Sequence, residues 1–400
     1  MFPDIYLPIP QVFCNNEGVP VSIGSSPRSL SDFTSPGPTT SVHIPMDLDE
    51  YVTQVDPKLT PESPLLALTI ARLAGGGMAM MLSYHHVVAD MHSARQLMYD
   101  WATAARAITA GGSAPELAAY PCGRLPYDRL VLELPASMSP PEPLTEAVPI
   151  ASSPWVMVPQ EVRLAHGPPV IVGGRGSAML FFSRQRLAEL KALATSQIDE
   201  EGVFVSTNDV LTARMRQVLA QLPCRGPSRP TISHFACEQR GRVKNAAGLP
   251  FVEEEFVGNA VSMRLTDPLD PTTASLGALA ASMRAAIQST HDVACREYAW
   301  MHEQERRHGY EHLWTALPMK LDMFSDFPQF GISNWEYKDA KKLDFGSGPA
   351  VFMQAGVSLP FSEGAIVMPA LHPDYAGGIF AHLYASRIVI QELLAVSGQL

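Results

Sequence analysis

Apolar positions along this chain change their spacing several times, and each change marks an element. Leu65–Ala74 and Met78–Tyr84 are apolar runs joined by Gly75, Gly76 and Gly77, the pattern of two strands, and the second delivers the chain to His85 and His86. From Ser93 the residues Ala94, Leu97, Met98, Trp101, Ala105 and Ile108 recur every three or four positions up to Gly111-Gly112, which predicts an amphipathic helix. Strand, histidine loop and helix therefore form one local unit. Upstream, Ile9–Ile23 with Asn15–Gly18 as its turn reads as an early hairpin, followed by a polar Ser/Pro/Thr-rich stretch over Ser25–Ser41.

The second half resumes with a strand at Ala178–Phe182 and a helix with Leu187, Leu190 and Leu193 on one face. Ser206 and Asp209 form an S-x-x-D box that opens a further helix, whose buried stripe is Val210, Leu211, Met215, Val218, Leu219 and Leu222. Another helix runs from about Thr273 to Ser289. Short apolar runs follow at Phe330–Trp335, Ala350–Met353, Ala365–Ala370 and Gly378–Tyr384, then a final helix. Between these halves, over Pro135–Gly176, periodicity fades and Pro, Ser and Gly dominate, as in an interdomain connection.

Length and charge narrow the class. Four hundred residues, 46% of them hydrophobic, exceed what a single core usually serves, so two domains are expected, at 1–135 and 177–400, with 136–176 crossing between them. A formal charge of −11 disfavours nucleic acid and anionic membrane as partners, since both demand clustered cations. The five cysteines lack any C-x-x-C pair, which fits a reducing, cytoplasmic setting and neither a disulfide framework nor a structural zinc. The N-terminus does not read as a signal peptide, and the apolar stretch Leu65–Leu82 is broken by Arg72 and three glycines, so it is not expected to span a membrane.

The candidate chemistry sits where the strand gives way to the helix. His86 and Asp90 form H-x-x-x-D, a weak signal alone; a strand-end position gives an imidazole the rigid support a general base requires, with a proton affinity near neutrality. His85 points the other way if the chain is still extended, and is expected to pack or hydrogen-bond. His92, with His85, His86 and Asp90, invites a metal reading; with no plan for the surrounding shell in the sequence, no metal is expected. Trp335, Met78, Met80 and Met81 are expected in the core.

Taken together, several blocks in order resemble the BAHD acyltransferases of the HXXXD superfamily: Leu65–Asp90, Pro126–Arg129, Ser206–Asp209, Glu238–Arg242, Gly258-Asn259, Ile332–Trp335 and Asp344–Gly348 (DFGSG). The resemblance implies a two-domain α/β fold of mixed sheets and helices, chloramphenicol-acetyltransferase-like, with a channel between the domains and His86 inside it. It implies an acyl-CoA-dependent O-acyltransferase with no permanently bound cofactor. Acetyl-CoA is the expected co-substrate, a hydroxyl (or amine) of a small specialised metabolite the acceptor, and His86 the general base without a covalent acyl-enzyme. Asp90 would pair with Arg240 or Arg242, Arg240 being preferred, to shape the loop. Asp344 and Gly346 would support the channel wall, while Ser206, Thr207, Asn208, Gly258 and Asn259 would line the CoA side. Ser347 stands where many members carry tryptophan and is a candidate for oxyanion support. Met91 replaces the common glycine, as in the fungal-type branch of trichothecene acetyltransferase-like enzymes. A monomer is expected, and the chain begins several dozen residues closer to the histidine than is usual. Two other readings stay open: a condensation-domain-like enzyme using carrier-protein thioesters, and a non-catalytic small-molecule-binding relative.

Overall fold

The computed structural model describes residues 18–34, 41–42, 64–86, 88–112, 148–149, 156–157, 174–242, 250, 252–288, 313–314, 328–335, 339–355 and 363–396. Strand β1 (Val21–Ser29) is followed by the short helix α1 (Ser31–Thr34) and by β2 (Ser41–Val42). The predicted strand pair is present as β3 (Leu66–Ala74) and β4 (Met78–Tyr84), antiparallel to each other, with β1 parallel to β3 on the far edge. Gly75, Gly76 and Gly77 all take positive φ between them, which is how so abrupt a reversal is made without Cβ strain. The early hairpin needs correction. Most of its span lies outside the described residues, and its second arm pairs in parallel with β3 and runs on through the polar stretch to Ser29. In β1 only Ser26 is buried, so backbone pairing holds this edge strand and no apolar alternation announces it.

Helix α2 (Met91–Thr109) follows the histidine loop with Asp90 as its N-cap. It buries Ser93, Ala94, Tyr99 and Ala102, whereas Leu97 and Ile108, expected on the inner stripe, are exposed. The expected connection is largely outside the described residues. Within it, β5 (Val148–Pro149) and β6 (Val156–Met157) pair antiparallel.

The larger sheet begins with β7 (Arg175–Phe182), followed by α3 (Arg184–Ser196) and α4 (Thr207–Ala220). Next come β8 (Ile232–Glu238), β9 (Val261–Leu265) and α5 (Leu276–Gln288). The chain continues through β10 (Leu313–Trp314), which joins β6, then β11 (Gln329–Asn334), β12 (Gly364–Pro369), β13 (Ile379–Ser386) and α6 (Arg387–Ala395). The strand order is β2-β7-β13-β12-β11-β8-β9, with β8, β11 and β12 mutually parallel.

Alternation sorts the two faces of this sheet. One carries Leu180, Phe235, Ile332, Val367 and Leu383 against Leu211, Met215 and Val218 of α4 and Leu393 of α6. The other carries Met179, Ile366, Met368 and Phe380, and Leu73 of β3 joins that cluster, so the two main sheets share a core. The stripe of α4 from Val210 to Leu219, with Leu222 beyond it, is buried as expected; Leu193 of α3 is exposed, its place on the buried face taken by Ala194. The run at 350–353 forms no strand, and Phe352 packs against Phe380 from outside the sheet. Among the described residues, no helix is long and apolar enough to cross a membrane.

Candidate functional site

His86 stands two residues past the end of β4, on a short turn, and is exposed. Two backbone bonds and one from a side chain hold the turn. His85 N–H donates to Leu65 O (2.8 Å), Val88 N–H to His85 O (3.1 Å), and the Asn259 side-chain amide to His86 O (2.8 Å). His85 is half-buried and contributes through its backbone. The Tyr84 and His86 ring centroids are 6.4 Å apart, and burial, then the Asp90 charge, pushes the Tyr84 hydroxyl up to about 12. Tyr84 is therefore a neutral phenol at any physiological pH.

Asp90 is buried and each of its oxygens is occupied. Oδ1 accepts from Ser93 N–H (2.9 Å), the helix-capping bond, and from Arg240 Nη2 (3.2 Å). Oδ2 accepts from Arg240 Nη1 (2.8 Å) and Ala260 N–H (2.9 Å). Arg240 in turn donates from Nε to Phe256 O (2.7 Å) and from Nη2 to Gly258 O (2.7 Å) and Ser93 Oγ (2.9 Å). Such a fully hydrogen-bonded pair offsets the cost of burying two charges, and it leaves Asp90 nothing to offer a substrate. Its work is to lock the start of α2, and with it the histidine turn, to the end of β8. Gly258 is part of the lock, exchanging bonds with Ser93 Oγ at a φ of 150° that suits glycine. Arg242 is exposed on the next turn, so the preference for Arg240 agrees with the geometry.

Two further residues belong to this cluster, Glu238, to which the sequence reading assigned no role, and His92. Glu238, the last residue of β8, accepts from Arg240 Nη1 at 2.9 and 3.0 Å and lies 3.2 Å from His92 Nδ1. Burial raises the Glu238 carboxyl, but the bonds from His92 and the Arg240 guanidinium outweigh it and hold it below the usual range. His92 is thus spent on a carboxylate and on Arg95, away from His86. Glu238 opens the quoted E-Q-R-G-R block, which was the available signal.

The predicted CoA-lining residues divide. Gly258 and Asn259 meet the histidine turn. Ser206 forms the expected capping box with Asp209: Asp209 N–H donates to Ser206 Oγ (3.2 Å) and Ser206 N–H to Asp209 Oδ2 (2.7 Å). Asp209 also holds Arg284 of α5 through Nε (2.9 Å). This helix start therefore already carries a carboxylate, which weakens its appeal to an anion. The side chain of Arg216 in α4 reaches Thr231, just before β8, so α4 runs antiparallel to β8. Ser206, Thr207 and Asn208 consequently lie at the same end of the sheet as the Asp90–Arg240 pair, the carboxyl ends of the parallel strands.

The DFGSG block is elsewhere. Asp344 Oδ1 accepts from Gly346 and Gly348 N–H (2.8 and 3.1 Å), closing a tight turn; Phe345 meets Trp101 edge-on at 5.3 Å, and Arg106 donates to Asp344 O. A Cβ on Gly346, at φ 103°, would come within 3.3 Å of Thr109. The turn thus sits against the last part of α2, a helix roughly 28 Å long at 1.5 Å per residue. Ser347 is exposed on it, and oxyanion support for chemistry at His86 does not fit that position.

The mixed α/β fold is chloramphenicol-acetyltransferase-like and is shared with solved structures. Vinorine synthase superposes with a TM-score of 0.58 at 17% identity, over 96% of this chain and 78% of that one. F. graminearum TRI101 complexed with coenzyme A and deoxynivalenol does so with 0.62 at 17% identity, over 94% and 80%. A family model described as Transferase family matches residues 9–119. Hydroxycinnamoyltransferase 2 of Oryza sativa subsp. japonica is 25% identical over 390 residues, 94% of this chain and 78% of that protein. A hydroxycinnamoyl-CoA:5-hydroxyanthranilate N-hydroxycinnamoyltransferase (HHT1) of Avena sativa is 24% identical over the same shares. The chain is similar to each of these proteins at 25% identity or less.

Proposed function

We propose that this chain is an acyl-CoA-dependent acyltransferase of the BAHD type, with His86 as general base. The observation that carries the reading is an exposed imidazole on a turn whose far side is locked by the buried Asp90–Arg240 pair. In the proposed reaction a ring nitrogen of His86 takes the proton from the acceptor hydroxyl or amine as its heteroatom attacks the thioester carbonyl. The tetrahedral intermediate then collapses with cleavage of the C–S bond, and the proton on His86 passes to the departing thiolate. No acyl group is attached to the protein. The acyl group is proposed to be acetyl, and the acceptor a hydroxyl of a small specialised metabolite; the curated relatives named for hydroxycinnamoyl-CoA support CoA over a carrier-protein thioester. Gly258 and Asn259, beside the turn, and Ser206, Thr207 and Asn208, at the same end of the sheet, are proposed to face the co-substrate. The division into 1–135, 136–176 and 177–400 and a monomeric, cytoplasmic protein complete the proposal.

The decisive experiment incubates wild-type and His86→Ala protein with acetyl-CoA and a panel of small alcohols and amines, read by mass spectrometry for the gain of one acetyl group. Loss of the general base is expected to cut turnover by about 10² to 10⁴ with no change in unfolding temperature. Undiminished transfer by His86→Ala would refute the mechanism.

A further inference from the structure

At the opposite end of the larger sheet, where β8, β11 and β12 begin, a cleft of about 80 Å³ is lined by Arg216, Arg225, Arg229, Ser228, Gln329 and Glu363. That is several times the space one water needs. Arg216 is the unusual member. Projecting from α4, it is only 2% exposed, and its donors are unequally used: Nε and Nη2 bond to Thr231 (3.3 Å to Oγ1; 2.7 Å to O and 2.9 Å to Oγ1), whereas Nη1 is buried with no partner among the described residues. Among the described residues no carboxylate lies within 4 Å of this guanidinium. The carboxylate in the cleft wall, Glu363, is taken by Arg225, and Asp270 nearby is bound by Ser228 Oγ at 2.6 Å and by Thr272. Among the described residues, three arginines thus face two occupied carboxylates, an excess of one positive charge with its deepest member uncompensated. Burial draws the Arg216 guanidinium down to about 10, so it is still a cation at neutral pH. A buried cation lacking a counter-charge is costly, and the fold tolerates it most readily where a ligand supplies the missing charge.

We propose that this cleft binds a phosphate group, free or carried on a small molecule, with Arg216 as the buried anchor and Arg229 as the exposed donor at the rim. A tetrahedral dianion accepts from more than one guanidinium at once, which suits converging arginines better than a single carboxylate does. The location is remote from the histidine turn: β8 separates the two by roughly 23 Å at 3.3 Å per residue. The proposal does not rest on the acyl-transfer reading.

The test is calorimetric titration of the full chain with inorganic phosphate at constant ionic strength, balanced with chloride. Saturable one-to-one binding is expected, weakened about tenfold or more in Arg216→Gln and severalfold in Arg229→Gln, and unchanged in His86→Ala. Arg229 is exposed, so its variant reports on the site even if Arg216→Gln fails to fold. Repeating the titration with coenzyme A present separates the sources. Competition assigns the phosphate to that molecule, and indifference assigns it to another metabolite or to free phosphate. Absence of saturable phosphate binding to the wild-type chain, or binding that ignores Arg229→Gln in folded protein, overturns the proposal.

Discussion

At the scale of single residues the site is asymmetric: one side chain is free to act and its neighbours are consumed in holding it. His86 is exposed, while Asp90 and Arg240 are buried and saturated with hydrogen bonds. Removing either partner strands a buried charge, so Asp90→Ala and Arg240→Ala are each expected to lower unfolding free energy by about 3–5 kcal/mol in urea titrations. His86→Ala should leave it within about 0.5 kcal/mol, as for an exposed position. A small loss in Arg240→Ala would mean that the pair is not what fixes the loop. His86 and Asp90 were legible in the sequence because strand, motif and helix are contiguous there. Arg240 over Arg242 was legible only as a preference, since the choice rests on how the chain leaves β8. The bond from Asn259 to the His86 carbonyl was not legible, because it joins residues 173 positions apart.

At the scale of elements, the larger sheet holds two histidines in its interior. His234 of β8 lies over Gly331 of β11, where any Cβ would clash with its Nε2, and His382 of β13 sits 2.6 Å from the Tyr384 hydroxyl. Burial pulls His234 down to about 4 and His382 to about 3. Both are neutral when folded, whereas the unfolded chain takes up protons at about 6.5. The unfolded state therefore binds more protons from pH 6.5 down to about 4 for His234 and about 3 for His382, and stability is full above that window and falls as pH drops through it, by several kcal/mol for the two together. Denaturant titrations at stepped pH are expected to show this slope, shallower in His234→Asn and His382→Asn. An unchanged slope in both variants would place the acid sensitivity elsewhere. The pattern of these strands was readable, but not that β1 pairs with β3 or runs on to Ser29: past Ile23 its exposed Gly and Ser positions leave no alternation to read.

At the scale of the whole molecule, α2 ties the chain together at both ends, to the end of β8 through Asp90 and Arg240 and to the Asp344 turn through Arg106, Trp101 and Thr109. The sequence contained both ends as separate blocks, and their placement along one helix is a fact of tertiary packing that no local spacing records. The separation has a consequence for what each end controls. Replacing Asp344 by Ala frees the N–H groups of Gly346 and Gly348 and loosens Phe345 from Trp101, a loss of about 1–3 kcal/mol for the hydrogen bonds and ring contact together. The damage enters α2 at its last turns, while the first turn retains the Asp90 cap and the Arg240 clamp, which do not depend on Asp344. Local opening follows such boundaries, because each end is stabilised by its own contacts. Hydrogen exchange on Asp344→Ala is therefore expected to speed up at Ala105–Thr109 and to leave the Ser93 and Ala94 amides protected, with turnover falling far less than in His86→Ala. Equal deprotection at both ends would show that α2 transmits the loss as one rigid unit, and the DFGSG turn would then count as part of the machinery that positions His86.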